Sequence, residues 1–443
     1  MNSVKPLVLF ACACFSGRKC RTTLLLFWLA LTAPAGGQTS RPFYMSVSGI
    51  QTIPLNNPPY VNFPAGFTPQ AVAGDTDLIA VFPEYLGIPF DLFATTADPP
   101  SSNPWVLQMT ALANQAKATG KPILLETSLI RQSPVGKAII SGSTVTLDSG
   151  WAPACLDFTQ PQYANLTTAY GNYANWMMRT FMPRYYVVMV EANLYWARCG
   201  GSTASWLKFV NLYQNAYQQA KAANAASIVF PSFKLEDIYG QTLNGFDTVQ
   251  WSAMASLPRD RLGLAIYPFG MQVGNYVFAN PYQLPSDYLN RIRVLYPNEP
   301  RILVTETGWN RESMSITADG PCYQKLIYSD PSFAAAYMNF LIYYGYVANV
   351  EAISWWSDRD LILASAMSKC FPYAPPPAYT ACDGDIWCQA INSAKYNLPP
   401  GGTDGYAEIV FKAFGAMGLR DYTGNPKPEV YNLWRQFLAL PLQ

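Results

Sequence analysis

Histidine is absent from the 443-residue sequence. Its absence excludes the usual Ser-His-Asp and Cys-His nucleophile systems, together with zinc and non-haem iron sites that use histidine ligands. Acid–base chemistry would therefore fall on the side chains of Asp, Glu, Lys, Tyr or Cys. By elimination, the composition favours reactions that depend on two carboxylates, and glycoside hydrolysis is the foremost of these.

Charged residues are also scarce, at 13% of the chain, and the formal net charge is only +1. This balance gives no electrostatic reason to expect a nucleic acid or an anionic membrane as a partner. No GxGxxG motif follows any predicted strand, which argues against nucleotide binding. We expect no cofactor, no metal and no nucleic-acid partner, and we expect a monomer.

Aromatic residues, by contrast, are plentiful, with 12 Trp and 29 Tyr. Flat aromatic rings suit the apolar faces of sugars, and large folds also bury many such rings in their cores. Apolar residues make up 50% of the chain, which is enough for a large core.

The N-terminus has the pattern of an export signal. The basic stretch Arg18–Arg21 precedes an apolar run from Leu24 to Leu31, and Ala33–Ala35 offers a cleavage site of small residues. That run is too short for a comfortable transmembrane helix, and no later run is apolar enough to span a bilayer. An earlier apolar patch, Leu7 to Phe15, leaves open a membrane anchor or a later true start. We expect residues 1–38 to be a signal peptide or leader, and the mature protein to be secreted or extracytoplasmic.

Eight short apolar runs follow the leader, and most are continuous rather than alternating, as in parallel strands buried on both faces. The predicted strands are Phe43–Ile50, Asp77–Phe82, Lys121–Thr127, Tyr185–Glu191, Ser227–Phe233, Arg261–Tyr267, Arg301–Glu306 and Val350–Trp356. Helical patterns lie between them at Trp105–Thr119, Ser205–Asn224, Ser332–Tyr346 and Pro428–Leu440. This alternation predicts an α/β fold over residues 39–443, a single (β/α)₈ TIM barrel with long loops at its C-terminal face. An open doubly wound sheet is the alternative.

Two segments look like excursions from such a barrel, Ile130–Thr159 after strand three and Cys370–Thr403 after strand eight. Both would emerge at the C-terminal ends of strands, where barrels of this kind place their active sites. They are interpreted either as walls of a substrate cleft or as surface decoration.

The nine cysteines divide into three within the leader and six beyond it. An even number in the mature chain suits a set of disulfides in an exported protein, and no CxxC spacing indicates a thiolate metal site. Loops after strands three and four would be neighbours at the barrel mouth, as would those after strands seven and eight. We therefore predict the disulfides Cys155–Cys199, Cys322–Cys370 and the local Cys382–Cys388.

Seven acidic residues follow or close the predicted strands, and in a barrel they would converge on one mouth. They are Glu84, Glu126, Glu191, Glu236, Asp237, Glu306 and Asp358. Glu306 and Glu191 each close a largely apolar run, so each would be half buried and would need a partner. Most of the seven are expected to be structural.

Strand seven, Leu303–Trp309, resembles the nucleophile strand of clan A glycoside hydrolases, where a Thr-Glu-x-Gly-Trp/Tyr pattern is typical. The resemblance is closest to family 53, the arabinogalactan endo-β-1,4-galactanases. Met189–Asn193 is similar to the Gly-Asn-Glu-Ile-Asn segment of that family, matching at Glu191 and Asn193. Ala265–Phe269 is similar to its Tyr-Tyr-Pro segment, whose tyrosine lies beside the nucleophile.

The resemblance implies a retaining mechanism, with Glu306 as the nucleophile and Glu191 as the acid/base. Their carboxyl groups would then lie about 5–5.5 Å apart. It also implies a carbohydrate substrate. The expected substrate-binding residues are Asn193, Glu126, Trp196, Tyr267, Trp309, Trp355 and Trp356.

Two departures from the family pattern bear on catalysis. Val190 stands where clan A enzymes usually carry the Asn that contacts the sugar 2-hydroxyl, and Glu126–Ser128 replaces a segment that contains histidine. Asn193, Glu126 or a residue outside the expected set would supply the missing contact. If none does, the sugar is unusual or the barrel binds carbohydrate without cleaving it. A lyase or aldolase that forms an imine on Lys234 or Lys121 is a third interpretation.

Overall fold

The computed structural model describes residues 40–50, 61–62, 68–83, 88–127, 135–136, 138–141, 144–147, 165–198, 201–239, 248–269, 272–273, 276–277, 280–299, 301–312, 314–317, 324–327, 329–360, 362–363 and 415–443. The predicted leader, Glu84 and all six mature cysteines (Cys155, Cys199, Cys322, Cys370, Cys382 and Cys388) lie outside the described residues. The export signal and the three disulfides therefore stay predictions.

Eight parallel strands close into a barrel in chain order. They are β1 (Tyr44–Ile50), β2 (Leu78–Val81), β3 (Ile123–Glu126), β4 (Tyr185–Met189), β5 (Ile228–Lys234), β6 (Leu262–Ile266), β7 (Ile302–Thr307) and β8 (Val350–Trp356). Closure occurs at β1, which pairs in parallel with both β2 and β8. The predicted TIM barrel is confirmed, and an open doubly wound sheet is excluded.

A helix lies in each connection that follows a barrel strand. These helices are α1 (Pro69–Val72), α2 (Pro104–Ala118), α3 (Leu166–Phe181), α4 (Thr203–Ala223), α5 (Thr248–Met254), α6 (Ile292–Leu295), α7 (Pro331–Val347) and α8 (Pro428–Leu438). The four predicted helices are confirmed as α2, α4, α7 and α8. Helix α3 escaped prediction because its Thr, Tyr, Gly and Asn residues have weak helix propensity and most of its faces are buried.

The confirmed helices begin at clear sequence signals. Asn103 accepts a hydrogen bond from the N–H of Trp105 at 2.9 Å, and Pro104 opens α2. Asp330 plays the same part at α7, where it accepts hydrogen bonds from two backbone N–H groups. Capping of this kind satisfies donors that have no partner inside the helix.

Short two-stranded pairings occupy segments at the C-terminal side of the barrel strands. They are Val61–Asn62 with Ile362–Leu363, Ile88–Pro89 with Val135–Gly136, Ala138–Ser141 with Thr144–Leu147, Gln272–Val273 with Tyr276–Val277, and Met314–Thr317 with Gln324–Ile327. The predicted excursion Ile130–Thr159 therefore contains a hairpin, whereas Cys370–Thr403 lies outside the described residues.

Aromatic side chains pack beneath the outer helices. Phe93 meets Tyr173 with ring centroids 5.5 Å apart, and Trp105 meets Trp176 at 5.4 Å. The largest fully buried side chains are all Trp or Tyr. Much of the aromatic surplus in the sequence therefore forms the core, where such rings bury large areas and favour edge-to-face contacts.

The N-terminal end of the barrel is closed by a polar cluster that spans it. The Tyr185 hydroxyl on β4 donates to Glu351 on β8 at 2.8 Å. Arg261, just before β6, donates to the other carboxylate oxygen at 2.7 Å. Because β4 and β8 stand opposite each other, Tyr185 must point into the barrel, and its neighbour Tyr186 must point outward.

Gly263 on β6 provides a test of how closely neighbouring strands approach. A Cβ atom there would lie 2.7 Å from the carbonyl oxygen of Pro231 and 2.9 Å from the ring of Phe230. We expect Gly263→Ala to lower the free energy of unfolding in urea by about 1–3 kcal/mol through overpacking. Gly74→Ala is the control, since a Cβ there meets no atom within 4 Å. Equal effects from the two substitutions would contradict the packing described here.

Candidate active site

Glu306 lies near the C-terminal end of β7 and faces the barrel interior. Its neighbour Thr307 shares a hydrogen bond of 2.8 Å with Tyr337 of the outer helix α7, so the alternation of the strand turns Glu306 inward. Glu306 is 2% exposed, and its Oε2 accepts a hydrogen bond of 3.1 Å from the Tyr267 hydroxyl. Tyr267 directly follows β6, which ends at Ile266 and not at Tyr267 as predicted.

Glu191 lies just beyond β4, and here the sequence prediction was wrong in detail, since the strand ends at Met189 and not at Glu191. Glu191 has φ = 50°, and its N–H donates to the Ser232 side chain on β5 at 3.0 Å. The next N–H, of Ala192, donates to the Ser232 carbonyl at 2.9 Å. The chain therefore leaves the strand geometry while it stays bonded to the neighbouring strand.

The backbone of Glu191 is unusual for a residue other than glycine, because positive φ costs free energy when a Cβ is present. Among the described residues, Met182 and Asn349 share this feature. Met182 caps the end of α3, and Asn349 lies between α7 and β8, where tight reversals are ordinary. Glu191 ends no helix, and strained residues of this kind cluster at functional sites.

Asn193 is engaged by protein groups rather than directed at a substrate. Its amide donates to the Lys234 carbonyl at 3.0 Å and to Gln250 at 3.1 Å, while its oxygen accepts from the Lys234 N–H at 2.8 Å. Both amide hydrogens are thereby used. Asn193 therefore links the segment after β4 to the end of β5. Because its amide hydrogens are engaged in these bonds, the geometry weighs against the predicted contact with a sugar hydroxyl.

Glu126 ends β3 and also faces the interior. The Thr127 hydroxyl bonds to the hydroxyl of the outward-pointing Tyr186 at 3.2 Å, so Glu126 turns to the opposite side. It is fully buried. Three glutamates from β3, β4 and β7 therefore lie buried at the C-terminal end of one barrel, and the predicted role of Glu126 in substrate binding stays a prediction.

Glu236 is a fourth buried glutamate, on the short helix Leu235–Tyr239 that follows β5. Its Oε1 accepts hydrogen bonds from the N–H of Tyr267 at 3.1 Å and from the hydroxyl of Tyr288 at 2.8 Å. Burial raises the pKa of Glu236 to about 7, against a smaller lowering by Lys234. Sequence reasoning named Glu236 among the mouth acids but missed its link to Tyr267, because no local pattern reveals it.

The predicted tryptophan platforms differ in their exposure. Trp309 is fully buried, donates to Ser329 at 3.1 Å and packs on Phe269 and Tyr337. Trp355 is 1% exposed and donates to the Met417 carbonyl at 2.8 Å. Neither ring has a free face in this structure, which weighs against sugar stacking.

The other two predicted tryptophans keep some exposed surface. Trp356 is 6% exposed. Trp196 is half-buried, and its ring lies edge-on to Trp206 of α4 with centroids 5.6 Å apart. Trp196 thus packs towards the outer helix layer, and sugar binding by either residue stays a prediction.

Of the two lysines considered as imine formers, Lys121 lies apart from this group, whereas Lys234 ends β5 on the same side of the barrel as the glutamates. Lys121 precedes β3, at the opposite end of the barrel from the glutamates, and its Nζ donates to the carbonyl of Thr76. Lys234 forms an ion pair of 2.9 Å with Asp237. Asp358, the remaining described mouth acid, pairs with Arg359 at 3.1 Å and lies 3.6 Å from Arg420. These contacts assign Asp237 and Asp358 to ion pairs.

Within the described residues, no group of three or more His, Cys, Asp or Glu side chains is arranged to hold a metal ion. No helix in the same part of the chain is long and apolar enough to cross a membrane.

Several solved structures share this fold. A variant of GH5_18 from Streptomyces cattleya in complex with Manb1-4GlcNAc superposes with a TM-score of 0.50 at 12% identity, covering 89% of this chain and 80% of that one. The Ignisphaera aggregans GH53 catalytic domain has a TM-score of 0.40 at 17% identity, covering 75% and 78%. No protein-family model and no curated protein sequence matches the chain.

An exo-β-1,4-mannosidase from Opitutaceae bacterium strain TAV5 is also similar, with a TM-score of 0.47 at 12% identity. The alignment covers 84% of this chain and 55% of that one, so this chain spans about half the length of the mannosidase. At 12% identity, the similarity to the GH5_18 structure concerns the barrel fold alone and does not assign a reaction.

The raised pKa of Glu236 predicts how stability depends on pH. The pKa of Glu236 is about 7 in the folded state and 4.5 in the unfolded chain. The buried neutral carboxyl therefore makes its full contribution to the free energy of unfolding below pH 4.5. That contribution is lost as pH rises through about 7, a change on the order of 3 kcal/mol. We therefore expect Glu236→Gln to gain stability relative to the wild type between these two pH values, as measured by urea unfolding. A difference that does not change with pH would show that Glu236 ionises normally.

Proposed function

We propose that this protein is a secreted retaining glycoside hydrolase that acts on a poly- or oligosaccharide. Glu306 is the nucleophile and Glu191 is the acid/base. The observation that carries the proposal is the placement of two buried glutamates at the C-terminal ends of β4 and β7, with Glu306 hydrogen-bonded to Tyr267. In a closed parallel barrel these ends share one rim, where barrel enzymes carry their active sites.

Each glutamate has surroundings that suit its role. The Tyr267 hydroxyl donates to Glu306 and would hold the attacking oxygen in a fixed direction without taking its charge. The N–H of Glu191 donates to the side chain of Ser232 on β5, and this bond fixes the backbone from which the Glu191 side chain extends. Since the chain has no histidine, the carboxyl groups of Glu191 and Glu306 would carry the proton transfer and the charge of this reaction.

The reaction would proceed by double displacement. Glu306 attacks the anomeric carbon while the protonated Glu191 donates its proton to the departing glycosidic oxygen. Water then enters, Glu191 takes one of its protons, and the bond between the sugar and Glu306 breaks. The sugar leaves with its original anomeric configuration, because two inversions have occurred.

A barrel that binds carbohydrate without cleaving it is the second candidate. Val190 occupies the position before Glu191, and the Asn193 amide is committed to Lys234 and Gln250. The Asn193 amide is therefore engaged by protein groups and does not reach out for the sugar 2-hydroxyl in this structure. Binding of oligosaccharides by the wild type without turnover would favour this candidate.

Substitution of the two glutamates separates their roles. We expect Glu306→Ala to abolish turnover of aryl glycosides, because no glycosyl-enzyme can form. Glu191→Ala should lower turnover by about 10²–10⁴ for poor leaving groups and much less for dinitrophenyl glycosides, which need no proton donor. Azide should restore turnover in Glu191→Ala and give a glycosyl azide of retained configuration, because it attacks the glycosyl-enzyme without a general base. Any azide product of Glu306→Ala should have the inverted configuration, because no glycosyl-enzyme forms in that variant.

Two variants serve as controls for these losses. Glu126→Gln changes a third buried glutamate and should lose less activity than either catalytic variant. Glu429→Gln changes a carboxyl that is 42% exposed and should behave as the wild type. Full activity in Glu306→Ala would eliminate the proposed nucleophile, whatever the result for Glu191.

A further inference from the structure

We propose that Glu236 is a positioning residue for the reaction, which acts by anchoring the backbone of Tyr267 so that its hydroxyl meets Glu306. This inference rests on the proposed function for its kinetic consequence. Its structural part, the contact between Glu236 and Tyr267, can be tested without any substrate.

The need for Glu236 arises where β5 and β6 part. The last pair in their register joins Lys234 to Ala265, after which the chain turns into the helix Leu235–Tyr239. No carbonyl of β5 continues alongside Tyr267, so its N–H would lose its partner in the ladder. A buried backbone N–H without a partner is costly. The side-chain oxygen of Glu236 takes that place at 3.1 Å.

The other contacts of Glu236 fix its own position. The hydroxyl of Tyr288 donates to the same oxygen at 2.8 Å, and Tyr239 in turn donates to the Tyr288 carbonyl. Both tyrosines are fully or almost fully buried. A continuous series of hydrogen bonds therefore runs from Tyr239 through Tyr288, Glu236 and Tyr267 to Glu306.

The electrostatic surroundings explain why an amide can replace this carboxyl. Lys234, Asp237, Tyr288, Tyr239 and Tyr337 are the titratable groups that act on Glu236 or respond to it. No described residue donates a hydrogen bond to Oε2 of Glu236, so the cost of burying a negative charge on this carboxyl is poorly compensated. The carboxyl thus holds a proton readily, and its Oε1 accepts from Tyr267 in either form.

Amide hydrogen exchange tests the contact directly. In Glu236→Ala, the amide of Tyr267 should exchange at least about tenfold faster than in the wild type, because its acceptor is gone. Glu236→Gln keeps a carbonyl oxygen at the same place and should retain most of the protection. Asp237→Asn is the matched control at the adjacent position and should leave exchange unchanged. Equal exchange in Glu236→Ala and the wild type overturns the inference by itself.

Kinetics on a dinitrophenyl glycoside that the wild type hydrolyses test the positioning role. Tyr267→Phe should lower kcat about 10- to 100-fold, the range expected for one lost hydrogen bond to a charged group. Glu236→Ala should lower kcat about tenfold with little change in KM, and Glu236→Gln should recover most of the loss. Asp237→Asn should stay within about twofold of the wild type, since its partly exposed ion pair contributes little.

A double-mutant cycle decides whether Glu236 works through Tyr267. If it does, adding Glu236→Ala to the Tyr267→Phe variant should cause almost no further loss of kcat. A full additional tenfold loss would show a separate, structural effect and overturn the inference. Thermal unfolding of each variant identifies loss of fold. A wild type without turnover, with faster Tyr267 exchange in Glu236→Ala, would overturn the proposed function and leave Glu236 with a structural role only.

Discussion

Closure of eight parallel strands is the constraint on which the rest of this structure depends. Because every strand runs in the same direction, every carboxyl end reaches one rim, and residues far apart in sequence share one site. The N-terminal end is fixed by the cluster that joins Tyr185, Glu351 and Arg261 across the barrel. That cluster also sets which residues of β4 point inward. Strand alternation at the other end turns Glu126 and Glu306 inward, whereas Glu191 lies beyond β4 and is held by the hydrogen bond of its N–H to Ser232.

The proposed site contains no histidine, and its hydrogen bonds join carboxyl, hydroxyl and backbone groups. Tyr267 is bonded at its hydroxyl to Glu306 and at its N–H to Glu236. Ser232 and Asn193 bind β4 to β5 on either side of Glu191. Rigid strands with locked neighbours are the usual means of holding reacting groups within small tolerances.

The sequence predicted the barrel well, since buried parallel strands read as continuous apolar runs and the helices carry caps and Pro signals. The resemblance to family 53 implied that Tyr267 lies beside Glu306, and the hydrogen bond between them agrees with this. The sequence did not foresee the end of β4 at Met189, because the hydrogen bond from Glu191 to Ser232 joins two different strands. For the same reason the engagement of Asn193 and the burial of Trp309 could not be read from local patterns. Tertiary packing decides whether a polar or aromatic side chain at a strand end faces a ligand or the core.

The central claim is that Glu306 carries the sugar during the reaction. A glycoside fluorinated at its 2-position and bearing a good leaving group slows both chemical steps, so it accumulates the covalent intermediate. The most direct measurement is mass spectrometry of peptides from the protein after this treatment. The account predicts a single glycosyl adduct on the peptide that contains Glu306, and no adduct in Glu306→Ala. An adduct on another carboxylate, or hydrolysis with inverted configuration and no adduct, would contradict it.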